Sequence, residues 1–403
     1  MIPRLLAHSL DSAWAQFPVV VLTGARQVGK TTLARQFLPK ADYVTLDVPA
    51  EAELARLNPA DFFGAHRSPL IIDEVQYAPS LLRELKIRVD ERRDPGQYLL
   101  TGSQSFELMA GVSESLAGRA AILTLPALTL RELPGSKDLG AIDAFIWRGS
   151  YPQLWQQPGL NRELWLGSYL ATYLERDVRN LLAVGNLREF DRFLRACALR
   201  AGELLSYAEL ARDVGISPNT AKSWISVLET SQQIFLLEPY HRARTKRLVK
   251  SPKLYFYDTG MLTYLMGFTA ASELPPHALW GAVWENAVVA EIRKSFLVRG
   301  LRPPLWFWRT SSGEELDVLI EVAPERFVVI ECKTAAQLDV SAVRSLRPLI
   351  AEYGASSVTK TLVVCRTERA YPLSQGGAIE AVPLAGRGGL LTRKELIGAA
   401  AQS

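Results

Sequence analysis

Sulfur and imidazole are scarce in this chain, whose 403 residues include three cysteines, four methionines and four histidines. Cys197, Cys332 and Cys365 are odd in number and widely scattered, which excludes a disulfide framework and a zinc-type spacing and fits a reducing cytoplasm. Long apolar runs are missing as well. No stretch of about 18 apolar residues occurs, and the start, MIPRLLAHSLDSAWAQF, lacks a signal-type apolar core, so the expectation is a cytoplasmic chain without a membrane span. An excess of one charge is also absent: 46 Lys and Arg against 42 Asp and Glu leave a formal +4, so attraction for a polyanion has to come from local clusters. What is present is ordinary globular usage, 48% hydrophobic and 22% charged, in a length that predicts roughly two or three domains.

The first signal is FPVVVLTGARQVGKTTLARQFL, which reads as an all-apolar strand from Val19 to Leu22, a turn, and an amphipathic helix starting near Lys30. Gly24, Ala25, Arg26, Gln27, Val28, Gly29, Lys30 and Thr31 satisfy G-x-x-x-x-G-K-[ST] in the strand, loop and helix order that a P-loop requires. Loop and helix N–H groups would meet nucleotide phosphates, Lys30 would add a mobile charge, and Thr31 would ligate Mg²⁺, with Thr32 beside it. The stretch SPLIIDEVQYAP supplies a strand ending in acid. Asp73 is placed to hold Mg²⁺ through water and Glu74 to polarise an attacking water, which favours ATP hydrolysis over mere binding. GQYLLTGSQS then ends a strand at Ser103, a candidate γ-phosphate sensor or simply a helix cap, and Arg119 after SLAG is a candidate arginine finger or an ordinary surface arginine. Strands near 19, 43, 70, 98 and 121 separated by helical stretches predict an α/β parallel sheet with helices on both faces.

From 144 to about 200 the pattern turns helical, with Leu166, Tyr169, Leu170, Tyr173 and Leu174 as an apolar stripe that the charged run Glu175, Arg176, Asp177 breaks. Next, Leu210 and Ala211, a turn through Gly215, Ser217 as a cap, and Ala221, Trp224, Ile225 and Leu228 predict a helix-turn-helix. The following stretch has Arg242, Arg244, Lys246, Arg247, Lys250 and Lys253 without an acid, which reads as the charged wing of a winged helix. Such a wing would contact DNA phosphates, or be a solvated edge of a protein-docking module.

WFWRTSSGEELDVLIEVAPERFVVIECKTA reads as three strands joined by turns. A turn centred on Pro324 sets Asp317 roughly opposite Glu331, and strand alternation puts Glu331 and Lys333 on one face with Cys332 on the other. Asp317 and Glu331 could hold Mg²⁺ or Mn²⁺ with the Cys332 carbonyl, while Lys333 orients or deprotonates a water that attacks a phosphodiester. Glu285, on a predicted helix upstream, could complete the site. Taken alone, the pattern favours a cross-strand ion pair at a sheet edge.

Asp317, Glu331 to Lys333 and Glu285 resemble the restriction-endonuclease-like nuclease superfamily, and VVIECKTA is similar to the matching strand of archaeal Holliday-junction resolvases. With GARQVGKTT, LIIDEVQ, SLAGR, YLATYLERDV and the helix-turn-helix in this order, the whole chain resembles a prokaryotic family of AAA-type ATPases. The resemblance implies an AAA-type ATPase domain over 1–140, a helical lid or linker over 141–200, a winged helix over 201–270 and a nuclease-like α/β domain over 271–403. It implies ATP and Mg²⁺ as cofactors, DNA, branched DNA included, as partner, and assembly as a homo-oligomer, with a hexameric ring as the form to test. The sequence departs from the superfamily in placing Leu316 rather than proline before Asp317. The leading expectation is an ATP-driven DNA-processing enzyme with a cutting tail. Its alternatives are a nucleotide-dependent switch or scaffold, and a DNA motor whose tail does not cut.

Overall fold

β-Branched Val19, Val20 and Val21 form a strand buried on both faces, as the central strand of a parallel sheet must be. A computed structural model of the chain describes residues 2–102, 112, 115–133, 135, 138–173, 187–240, 251–393 and 396. Its first unit runs α1 (Ala7–Trp14), β1 (Val19–Thr23), α2 (Lys30–Phe37), β2 (Asp42–Thr45), α3 (Pro49–Leu57), α4 (Pro59–Ala65), β3 (Leu70–Asp73), α5 (Leu81–Glu91), β4 (Tyr98–Gly102) and β5 (Ala120–Thr124). The strands lie in the order β2-β3-β4-β1-β5, all pairs parallel. Val20 and Leu22 share a core with Leu10 of α1 and Leu33 of α2, while Val19 and Val21 pack with Phe62, Leu81 and Leu85 of α4 and α5. Helices therefore cover both faces, and because the strands are parallel, the ends of β1, β3 and β4 open on one edge, where a ligand crevice forms.

Helices α6 (Leu139–Arg148), α7 (Pro152–Gln156), α8 (Arg162–Tyr173) and α9 (Leu187–Ala198) lead into α10 (Tyr207–Val214) and α11 (Pro218–Thr230). The α10–α11 turn has the expected chemistry. Gly215 takes a left-handed φ of 85°, the Ser217 hydroxyl accepts from the Thr220 N–H at 3.0 Å, and Pro218 starts α11. Trp224 meets Phe190 and Phe193 edge-on at 5.1 and 5.2 Å, which seals α11 onto α9. Strands β6 (Ile234–Leu237) and β7 (Lys253–Phe256) pair antiparallel, with Ile234 opposite Phe256 and Leu237 opposite Lys253. Ser103, the charged run at 175–177 and the basic residues Arg242, Arg244, Lys246, Arg247 and Lys250 lie outside the described residues.

After α12 (Thr259–Leu265), the last unit contains α13 (Trp280–Leu297), β8 (Leu305–Arg309), β9 (Glu315–Ala323), β10 (Arg326–Cys332), α14 (Leu346–Tyr353), β11 (Val358–Val364), β12 (Tyr371–Pro372) and β13 (Ile379–Val382). Its sheet, ordered β12-β13-β11-β10-β9-β8, is mixed: β8 and β10 each pair antiparallel with β9, whereas β10, β11 and β13 pair parallel. Val328 and Ile330 face the core that α13 shares with the first two units, and Phe327 and Val329 face a second core with Trp308 and Leu349. The units are bonded as well as packed. Glu291 of α13 accepts from the Leu130 N–H at 2.8 Å, and Lys294 donates to the Leu128 carbonyl at 3.1 Å.

Candidate functional site

Two polar centres stand out, and the first grows from the end of β1. Gly24 has to be glycine: its φ is 155°, and a Cβ there would stand 2.5 Å from the Leu125 carbonyl oxygen. Gly29, at φ 95°, turns the chain into α2. Lys30 is buried, with Nζ donating at 3.0 Å to the Gly24 and Ala25 carbonyls. Thr31 Oγ1 donates to the Asp73 carboxylate, 3.0 Å from each oxygen, which joins the loop to the acid at the end of β3. Asp73 also accepts from Tyr43 at 3.0 Å and from Thr101. The Thr31 hydroxyl and the Asp73 carboxylate are hard oxygen donors facing each other, the set that Mg²⁺ takes while it keeps several waters. Glu74 follows with a left-handed φ of 57° and accepts from Gln76 Nε2.

A cavity of about 1310 Å³ opens over this loop, lined by residues 26–32 and Glu74 on one side and by Gln153, Trp165 and Tyr169 of α7 and α8 on the other. Two residues that the motif did not announce frame the loop. Arg4 donates to the Val28 carbonyl at 2.7 Å and the Pro126 carbonyl at 2.6 Å while pairing with Glu132 at 3.2 Å. Gln232, from the turn between α11 and β6, accepts from the Ala25 N–H at 3.0 Å through its side-chain oxygen. Arg119 stands apart from the cavity lining, in a two-pronged pair with Asp90 of α5 at 2.7 and 2.9 Å.

The second centre lies where β7, α13, β9 and β10 meet. The β9–β10 ladder places Ile330 opposite Val318, and Glu331 and Asp317 are the next residue on each strand. Asp317 Oδ2 accepts from the Cys332 N–H at 2.7 Å, and Lys333 Nζ stands 2.9 Å from Glu331 Oε2. The other Glu331 oxygen is buried and has no hydrogen-bond partner among the described residues. Burial, with Glu285 and Glu331 nearby, pushes the Asp317 carboxyl well above the usual range, and burial raises Glu331 against the pull of Lys333. A cleft of about 750 Å³ exposes this end of the sheet, with Glu315, Asp317, Glu331 and Lys333 in its wall.

Lys253, read as part of the charged wing, is instead buried. Its side chain is 3% exposed, and its ammonium sits 3.0 Å from Glu285 Oε1 and also contacts Glu315. The cause is strand alternation: Lys253 and Tyr255 point from β7 toward the acids, and Tyr255 donates to Glu285 at 2.6 Å. Burial favours loss of the Lys253 proton, but Glu285, Glu315 and Asp317 outweigh it and raise its pKa. Glu285 is therefore engaged by a lysine and a tyrosine. Among the described residues no group of three or more His, Cys, Asp or Glu is arranged to hold a metal, although Glu285 lies close enough to raise both Asp317 and Glu331. The KLYFY alternation was the available signal for a buried lysine; Arg4 and Gln232 have none in local spacing.

Comparison with known proteins divides the chain similarly. Residues 16–134 match a family model described as an AAA domain, while 140–272 and 280–385 match two models described as domains of unknown function, DUF8612 and DUF4143. Uncharacterized proteins of Mycobacterium tuberculosis and Mycobacterium bovis are each 32% identical over 383 residues, which cover 94% of this chain and 83% of theirs. The Walker-type ATPase paby2304 of Pyrococcus abyssi aligns over 64% of this chain and 94% of its own, with 16% identity and a TM-score of 0.42. The P-loop geometry and the AAA-domain match support nucleotide-dependent ATPase activity. Among the described residues no helix is long and apolar enough to cross a membrane.

Proposed function

The chain belongs to one family with these two mycobacterial proteins, and on that premise we propose that it is an ATP-hydrolysing, DNA-binding protein with a Mg²⁺-dependent nuclease-like tail. In this reading the P-loop unit works as an oligomer, the α10–α11 pair with β6 and β7 is a winged helix that holds DNA, and the last unit is a restriction-endonuclease-like fold. The single observation that carries the tail's part is the convergence of Asp317, Glu331 and Lys333 at one mouth of the cleft, with a buried Glu331 oxygen left unpartnered. With Asp317 favoured in its protonated form, Glu285, Glu315 and Glu331 balance Lys253, Lys333 and Arg309, and a cation between Asp317 and Glu331 would let both carboxylates ionise. Asp317 and Glu331 would hold Mg²⁺, for which one or two carboxylates suffice. When bound, the ion would polarise a phosphodiester oxygen and acidify a water. Lys333, partly exposed beside Glu331, would orient that water and steady the charge developing on phosphate.

One feature favours a second reading, a nucleotide-driven motor or switch whose tail grips without cutting: Lys253 already supplies a cation to Glu285 and Glu315. Incubation with linear, forked and four-way DNA, with Mg²⁺ or Mn²⁺ and with or without ATP, decides between them. The cutting reading expects cleavage that Asp317→Ala and Lys333→Ala abolish while ATP hydrolysis persists. No cleavage of any substrate removes it. Neutralising Arg242, Arg244, Lys246 and Arg247 is expected to flatten the salt dependence of DNA binding, and an unchanged slope removes the wing from the interface.

A further inference from the structure

The two polar centres share one short ribbon. At its near end, Gln232 reaches across 207 positions of sequence to accept from the Ala25 N–H of the P-loop at 3.0 Å, a buried contact. Its φ of 57° is uncommon for a glutamine. The next residue anchors the same turn to the roof of the nucleotide cavity, since Gln233 Nε2 donates to Tyr169 Oη at 3.1 Å and the Gln233 carbonyl accepts from the Tyr257 N–H at 3.1 Å. β6 begins one residue later and pairs with β7 along its whole length. At the far end, opposite Leu237, Lys253 enters the acid cluster and holds Glu285 and Glu315. Asn286 of α13 closes on the same strand, accepting from the Phe256 N–H at 2.8 Å and donating to the Phe256 carbonyl at 2.9 Å. Four strand residues, about 13 Å at a strand's rise, separate the two ends.

We propose that the β6–β7 ribbon couples the two centres, with Gln232 as the positioning residue that reports the P-loop's conformation and Lys253 as the residue that delivers it to the acid cluster. The inference rests on the P-loop binding nucleotide and does not require the tail to cut DNA. A P-loop that reshapes around phosphates moves the Ala25 N–H, and a buried acceptor has to follow its donor or leave it unsatisfied. The ribbon is paired, buried and short, so a shift at Gln232 displaces β7 instead of dissipating in a loop. By linkage, the state of the acid cluster acts back on nucleotide affinity to the same degree.

Hydrogen–deuterium exchange on the full chain tests the coupling, read over 253–256 with and without ADP or a non-hydrolysable ATP analogue. Nucleotide is expected to slow exchange there by about fivefold, and Gln232→Ala to remove that protection while nucleotide still binds at saturating concentration. Protection that persists in Gln232→Ala, or its absence in the parent chain with nucleotide bound, overturns the proposal. Gln232→Asn keeps an amide that tolerates the left-handed backbone but is one methylene too short to reach Ala25, and it takes the place of the alanine variant should that variant not fold. Binding that survives Lys30→Ala overturns the nucleotide reading itself, which separates its failure from failure of the coupling. A merely structural Gln232 would lower stability without erasing the nucleotide-dependent change.

Discussion

The P-loop centre and the acid cluster are built from the same parts, carboxylates beside lysines, yet they solve opposite problems. Asp73 is surrounded by donors: Thr31, Tyr43 and Thr101 all give it hydroxyl hydrogens, and Lys30 rests on backbone carbonyls. Asp317 has one backbone N–H and two carboxylate neighbours, and Glu331 has an oxygen with no donor among the described residues. A satisfied carboxylate is inexpensive to bury, whereas crowded ones need a cation. The carboxylate of the first centre is therefore satisfied within its own unit, whereas the second centre depends on Lys253 brought from another unit.

Lysine substitutions should split the two most sharply. Lys30→Ala is expected to lower ATP hydrolysis by about a thousandfold, because a charge aimed at developing phosphate charge is lost. Its urea midpoint should stay near that of the parent chain. Lys253→Met reverses the pattern, removing the buried partner of Glu285 and Glu315 at a cost of about 3 kcal/mol. Urea unfolding that moves by less than about 1 kcal/mol would mean that the cluster is solvated, and the contrast would collapse.

Legibility in the sequence follows the same division. The P-loop was readable because its residues are contiguous and its fixed positions serve one ligand: Gly24 for close approach to Leu125, Gly29 for the turn into α2, Lys30 and Thr31 for charge and hydroxyl. Strands β1, β3, β4 and β5 were readable from apolar runs, β2 only from its spacing between helical stretches, and the nearness of Asp317 and Glu331 from the turn at Pro324. Lys253 was not, because a basic run before it resembles a solvated edge and nothing local reports that β7 abuts α13. Gln232 and Arg4 were hidden for the same reason. Their partners are 207 and 24 residues away, so only the fold brings them to the P-loop.

An intermediate effect is expected for Asp317→Asn, measured in EDTA. Burial and the neighbouring Glu285 and Glu331 raise the folded pKa of Asp317, so the native state favours its protonated form. The raised pKa makes no demand on stability below the unfolded value, and stability is lost as pH climbs from there through the folded pKa. Asparagine cannot ionise and keeps an acceptor for the Cys332 N–H. The variant should match the parent chain near pH 4 and exceed it by about 1 kcal/mol at pH 8. A gap that is constant with pH would show that crowding is not what distinguishes this acid from Asp73.

The mildest change belongs to the other side of the comparison. Tyr43, on β2, gives Asp73 a third hydroxyl from a ring that is itself held under the Arg35 guanidinium, 4.9 Å from its centroid. Burial and the adjacent Asp73 push the Tyr43 hydroxyl up to about 12, so it remains a donor throughout the working pH range. Tyr43→Phe removes that donor and leaves Thr31 and Thr101 in place, so Asp73 loses orientation but not its partners. ATP hydrolysis should fall by about threefold, with affinity for ADP in EDTA unchanged and affinity for Mg²⁺–ADP slightly weakened. If the loss approaches that of Lys30→Ala, Asp73 depends on a single donor, and the contrast between a well-satisfied acid and a crowded one fails at its satisfied end.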